Sequence, residues 1–220
     1  MLDFADYIKT RQEMNRTLDS LYTTRTLKPS LKALPILSSV DIGNFVGLAR
    51  TEPKLNDYQI KVEDLGDNLY RLSISKEVRK ERIIKGSALI DIRDEAWVFL
   101  TMNGTYFVRH GIVHLLNSLY PQISRVYLNH YSMLQLLNEV KERYGGDRVV
   151  TEFSADTEEL SKKGRGRKSV RIAGKTAEKD LRNYSKRQRI WLNKVAYQIV
   201  DRDDRSIVES VIYSSGLSRL

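Results

Sequence analysis

The stretch SKKGRGRKSVRIAGKTAEKD, Ser161 to Asp180, contains Gly174-Lys175-Thr176, the triplet that closes a phosphate-binding loop. Such a loop needs another glycine five residues before Gly174, following a buried strand, so that bare backbone N–H groups can face phosphate oxygens. Position 169 is Ser169, the nearest upstream glycine is Gly166, and KKGRGRK is no buried strand. The spacing therefore argues against a nucleotide-triphosphate loop. The remaining reading is a pliable cationic segment. Gly164 and Gly166 loosen the chain, and Lys162, Lys163, Arg165, Arg167, Lys168 and Arg171 supply charge that can follow a phosphate backbone and release its counterions.

The residues after it extend the pattern. Thr176 is placed to cap a helix running from Ala177 to about Arg189, with Glu178 and Asp180 favourable in its first turn. Lys179, Arg182, Lys186 and Arg189 recur at spacings of three, four and three, a single basic stripe, while Leu181 and Tyr184 fall on another side. With Lys175 in the connection, arm and stripe make one expected nucleic-acid-binding surface of low sequence specificity. The Arg165-Gly166-Arg167 core also resembles the centre of an AT-hook, with Lys168 where that motif carries proline; the resemblance implies arginines lying in the minor groove of A/T-rich DNA. Tyr184 and Tyr197 are candidates for stacking on exposed bases. Two other readings compete: an adaptor or scaffold subunit that docks an acidic protein segment, and plain solvated surface. An anionic membrane is a poor partner, because the stripe lacks a strongly apolar opposite face.

Chemistry is harder to find. His110 and His114 stand four apart, the spacing at which a helix offers two imidazoles to zinc, but Gly111 occupies the place of the glutamate in HExxH, and His130 is distant in sequence. Asp91, Asp94 and Glu95, and again Asp201, Asp203 and Asp204, are clustered acids of the kind a Mg²⁺-dependent nuclease needs; both sets fall in expected turns, where aspartate is common for backbone reasons. There is no G-x-S-x-G elbow and no cysteine, which excludes disulfides and thiol catalysis. The expectation leans to a non-catalytic protein with no metal and no cofactor, a metal-dependent nuclease being the weakest of the readings kept.

Elements must position these residues. Phe4, Ile8, Met14, Leu18, Leu21 and Tyr22 predict one helix from about Asp3 to Tyr22, and in the adaptor reading Phe4, Ile8, Leu18 and Leu21 would carry oligomerisation. Pro29 and Pro35 punctuate the next stretch. Tyr58, Ile60 and Val62, a turn, then Tyr70, Leu72 and Ile74 predict a hairpin; Ala88, Ile90 and Ile92 followed by Trp97, Phe99 and Thr101 predict a second, more central one. Val108 to Leu119 and Met133 to Tyr144 carry helical stripes. The remainder reads as a strand at 148–155, an acidic patch at Asp156, Glu158 and Glu159, the basic segment, a helix, and a closing hairpin in which Trp191, Val195, Tyr197 and Ile199 share a side, with Asn193 as the exception. Hairpins interleaved with helices predict an α+β fold with a mostly antiparallel sheet, helices on one face and a smaller C-terminal α+β lobe. The expected segments are an N-terminal helix at 1–28, a platform at 29–155, a flexible arm at 156–175 and a helix plus hairpin at 176–220.

The charge matches this division. The formal net charge is +9, yet Lys162 to Lys194 alone sums to +11, so the remainder is slightly acidic. With 41% apolar residues the chain can bury a core. Neither a signal peptide nor an apolar run of membrane-spanning length is visible, which sets the expectation of an intracellular protein, cytoplasmic or in nucleoid or nucleus.

Overall fold

The computed structural model describes residues 4–23, 31–78, 82–94, 96–144, 147–161, 164–187, 190–200 and 206–219. The chain is an α+β protein with antiparallel sheets, and it divides into two compact units, Met1–Val126 and Tyr127–Leu220. The division falls at 126/127 rather than at 155, because the helix His130–Tyr144 packs on a strand of the C-terminal sheet.

In the first unit, α1 (Phe4–Tyr7) and α2 (Arg11–Thr23) precede β1 (Lys32–Ser38) and α3 (Ile42–Thr51). The expected single N-terminal helix is broken at Ile8–Thr10. Thr10 Oγ1 accepts the Glu13 N–H at 3.2 Å and Glu13 Oε2 accepts the Lys9 N–H at 2.7 Å, a reciprocal cap that starts α2 afresh. Arg71 completes the break by donating to the Ala5 and Ile8 carbonyls at 2.8 and 2.6 Å. Phe4, Ile8 and Met14 are buried, so the first two, expected as interface residues, belong to this unit's own core.

The sheet of this unit runs β2 (Gln59–Asp64), β3 (Leu69–Val78), β4 (Arg82–Arg93), β5 (Ala96–Thr101), β1, β6 (Ile123–Arg125), with every pairing antiparallel. Both expected hairpins form. Gly66, Asp67 and Asn68 turn the first with positive φ, and Asp94 (φ 53°) turns the second. Pro35 lies inside β1 instead of ending a segment: it lacks an N–H but keeps its carbonyl, which accepts from Val126 N–H at 3.3 Å. After Gly104 come α4 (Thr105–Phe107), a π-helical stretch at Val108–Val113 and α5 (His114–Ser118), whose Phe107, Val108, Ile112 and Leu115 are buried. Phe45 of α3 meets Trp97 edge-on at 5.6 Å.

The second unit opens with α6 (His130–Tyr144) and builds a sheet in the order β11 (Ser218–Arg219), β10 (Ser206–Tyr213), β9 (Ile190–Val200), β7 (Asp147–Ser161), β8 (Gly164–Ala173), again antiparallel throughout. α7 (Ala177–Arg187) packs on β7 and β8, with Ala177 and Leu181 buried and Tyr184 edge-on to the buried Phe153 at 6.2 Å. The expected side-sharing on β9 does not hold at its start. Ser154 pairs with Lys194 but Ala155 with Leu192, leaving Asn193 as a bulge. The extra residue shifts the phase, so Ile190 and Leu192 are buried with Val195, Tyr197 and Ile199, and Trp191 is 43% exposed.

Candidate functional site

The segment expected as a flexible arm is the edge strand of a hairpin. Its ladder runs from Ser161 opposite Gly164 to Glu152 opposite Ala173, and β8 pairs with β7 alone among the described residues. Val170 and Ile172 alternate with Ser169 and Arg171, a period of two, and face Ala155 and Phe153 in register. The acidic patch and the basic segment, separate features in the sequence, are the two strands of this one hairpin.

Their charges meet. Arg171 Nε and Lys194 Nζ each donate to Glu152 Oε1 at 2.8 Å, and Ser169 Oγ donates to Asp156 Oδ1 at 2.6 Å. Hydrogen bonds from Lys194 and then Arg171 hold the Glu152 carboxyl below the usual carboxylate range, more than offsetting its partial burial. Lys194, Ser154 and Arg171 form one row across β9, β7 and β8; Trp191, Asp156 and Ser169 form the next.

A bulge in β7 explains how α7 is seated. Val150 pairs with Tyr197 and Glu152 with Ala196, so Thr151 is the extra residue. Val150 N–H, released from the regular ladder, donates to Glu178 Oε2 at 3.0 Å, and Thr151 C=O accepts from Gly174 N–H at 2.9 Å. Gly174, at φ 97°, turns the chain from β8 into the helix, where side chains are disfavoured. Gly174-Lys175-Thr176 is thus a strand-to-helix turn whose glycine N–H is already bonded. Thr176 C=O accepts the first helical bond, from Asp180 N–H at 2.9 Å.

The expected binding residues separate accordingly. Arg182 is paired with Glu178 at 2.8 Å and Arg171 with Glu152. Lys175 and Lys179 are exposed and make no ion pair among the described residues. Arg165, Arg167 and Lys168 lie on β8 and Lys186 on α7, while Lys162, Lys163 and Arg189 fall outside the described residues. α7 packs on the sheet face that carries Phe153, whereas Arg171 belongs to the opposite face, so arm and stripe meet at one sheet edge without forming a single flat surface. Tyr197 is buried and Tyr184 packs on Phe153, which removes Tyr197 as a base-stacking residue; the exposed aromatic of this region is Trp191. The Asn193 bulge hid it, since unbroken alternation assigns Trp191 to the core.

Asp91, His110 and His114 have structural partners. Asp91 is buried and bonded to Arg11 at 2.6 Å and Arg93 at 3.3 Å. Asp94 turns a hairpin, and Glu95, Asp201, Asp203 and Asp204 lie outside the described residues. His110 meets Tyr106 in a tilted ring contact at 4.5 Å, and His114 stacks with Tyr58 at 5.4 Å. Among the described residues no three His, Asp or Glu gather as metal ligands, and no helix is long and apolar enough to cross a membrane.

The fold and site define an α+β protein whose second unit carries a charged edge hairpin backed by a basic helix. No model of a known protein family matches the chain, and comparison with curated proteins finds no relative at a significant level.

Proposed function

We propose that the second unit binds nucleic acid through its phosphates, without catalysis and with little reading of sequence. The observation that carries this reading is the meeting of the basic strand β8 with the start of α7 at an open sheet edge, where Lys175 and Lys179 are exposed and without ion-pair partners among the described residues. Those two lysines are the first phosphate contacts, Arg165, Arg167 and Lys168 on β8 and Lys186 on α7 extend the positive field, and Lys162, Lys163 and Arg189 add charge in the same stretch of sequence. Trp191 supplies a stacking surface for an unpaired base. The protein acts intracellularly in this reading. Its test is fluorescence anisotropy with labelled single- and double-stranded 20-mers. Lys175→Ala with Lys179→Ala weakens every probe alike and reduces the salt slope by about two. Unchanged affinity in that double variant would remove these lysines from the interface.

A second reading rests on the same open edge. An acidic protein segment could add to β8 as a further strand, using its outward main-chain groups, which is the adaptor alternative. An acidic peptide that competes with the oligonucleotide, and binds more tightly than any nucleic-acid probe, would favour it.

A further inference from the structure

The first unit holds a groove of about 630 Å³ that the nucleic-acid reading does not use. Its floor is the face of three adjacent strands. Strand register arranges six of its residues as two rows: Gln59, Ser75 and Lys85 in one, Lys61, Ser73 and Ser87 in the next, each row crossing β2, β3 and β4. The two lysines occupy diagonal corners and the Ser73 and Ser75 hydroxyls lie between them. With strands ~4.8 Å apart and alternate residues ~6.8 Å apart, the lysine Cα atoms are separated by about 12 Å, a span over which two extended side chains can meet one anion from either side.

Several features show a prepared floor. Ser87 is buried and donates to Asp6 Oδ1 at 2.6 Å, which fixes one end of the groove. Asn103 donates to Ser87 C=O at 2.9 Å, and a Cβ on residue 86 would lie 2.7 Å from its amide, so glycine there leaves room for the Asn103 side chain. Ser75 Oγ donates to Gln59 Oε1 at 3.1 Å. Lys61 and Lys85 are exposed and make neither hydrogen bond nor ion pair among the described residues. Among those residues Asp6 is the one acid lining the groove, leaving two cations against one anion.

We propose that this groove binds a small phosphomonoester, with its phosphate held between Lys61 and Lys85 above the Ser73 and Ser75 hydroxyls. Two ammonium groups suit a dianion, and the Ser73 hydroxyl donates to its oxygens, joined by that of Ser75 when it turns from Gln59. The volume falls in the range of small-ligand sites and exceeds the need of a bare phosphate, so the organic part lies toward Asp6 and Asn103, where hydroxyls find a carboxylate and an amide.

The test is a ¹H–¹⁵N titration of the full chain with glycerol phosphate, inorganic phosphate and glycerol. Saturable shifts at residues 59–61, 73–75, 85–87 and 103 are expected, with glycerol phosphate tighter than inorganic phosphate and glycerol silent. Lys61→Gln and Lys85→Gln, both exposed, should each weaken binding about tenfold while leaving the remaining spectrum in place. No shift at these residues, shifts that grow without saturating, or binding unchanged in the double variant would overturn the proposal. Shifts confined to residues 164–187 would mean that phosphate reports only the basic edge of the other unit.

Discussion

Replacing Glu152 by glutamine tests the hairpin because it should move stability and binding in opposite directions. The carboxylate is largely buried, at 18% exposure, and accepts from Lys194, 24% exposed, and Arg171, 73% exposed. The Arg171 pair is screened by solvent and is worth at most about 1 kcal/mol. The Lys194 bond is a charge-assisted one in a half-buried setting, worth about 1.5 kcal/mol. Glutamine keeps an acceptor oxygen but no charge, so the expected destabilisation is about 2 kcal/mol near neutral pH. Urea unfolding reads this as a lower midpoint with an unchanged m-value. The folded chain holds the Glu152 proton less tightly than the unfolded chain, whose carboxyl titrates near 4.5. The stabilisation is therefore present above that pH and lost as pH falls through the lower folded-state value, so the gap between wild type and variant should narrow as pH is lowered below 4.5. In the same variant Arg171 and Lys194 become available to phosphates, and affinity for a single-stranded 20-mer should rise with a steeper salt slope. Equal stability of the two proteins at pH 7, or a gap that does not narrow as pH falls below 4.5, would refute the ion-pair account of the hairpin.

Single residues elsewhere carry further expected outcomes. Burial lowers the His130 pKa and its Nδ1 has no hydrogen-bond partner, so the unfolded chain takes up the proton first; thermal stability should fall as pH drops below about 6.5, and His130→Phe should flatten that dependence, whereas an unchanged profile would remove His130 as its source. Gly174→Ala meets no neighbouring atom but must adopt φ near 97°, and should cost about 1 kcal/mol in urea unfolding through the backbone alone. Phe153→Ala empties the contact under Tyr184 and should cost about 4 kcal/mol, detaching α7 first in hydrogen exchange.

The hairpins of the first unit are legible in the sequence because alternation, turn residues and burial agree there: Tyr70, Leu72 and Ile74 read as a strand and form one. The break at Thr10 is also written in the chain, as Thr-x-x-Glu, but the apolar spacing across it suggests one helix. α3 is hidden by Gly43 and Gly47, although Asp41 caps it by accepting from Asn44 N–H at 2.8 Å. The bulge at Thr151 leaves no local signal, and that at Asn193 shows only as one polar residue on an apolar side; each is fixed by partners far along the chain, and each reverses which residues are buried. The charge of β8 is the clearest loss. Its composition suggests a free arm, while Val-x-Ile at 170–172 and the acids of β7 specify a paired strand. Composition locates the basic residues correctly but cannot show that Glu152, 19 positions before Arg171, neutralises part of them.

The most direct test of the nucleic-acid account is the salt dependence of binding by the intact chain. Anisotropy of a labelled 20-mer should give a log affinity that falls linearly with log salt, with a slope corresponding to at least two phosphate contacts, and neutralising Lys162, Lys163, Arg165, Arg167 and Lys168 should flatten it. An affinity that is unchanged from low to moderate salt, or no binding to single- or double-stranded DNA or RNA at low salt, would contradict it.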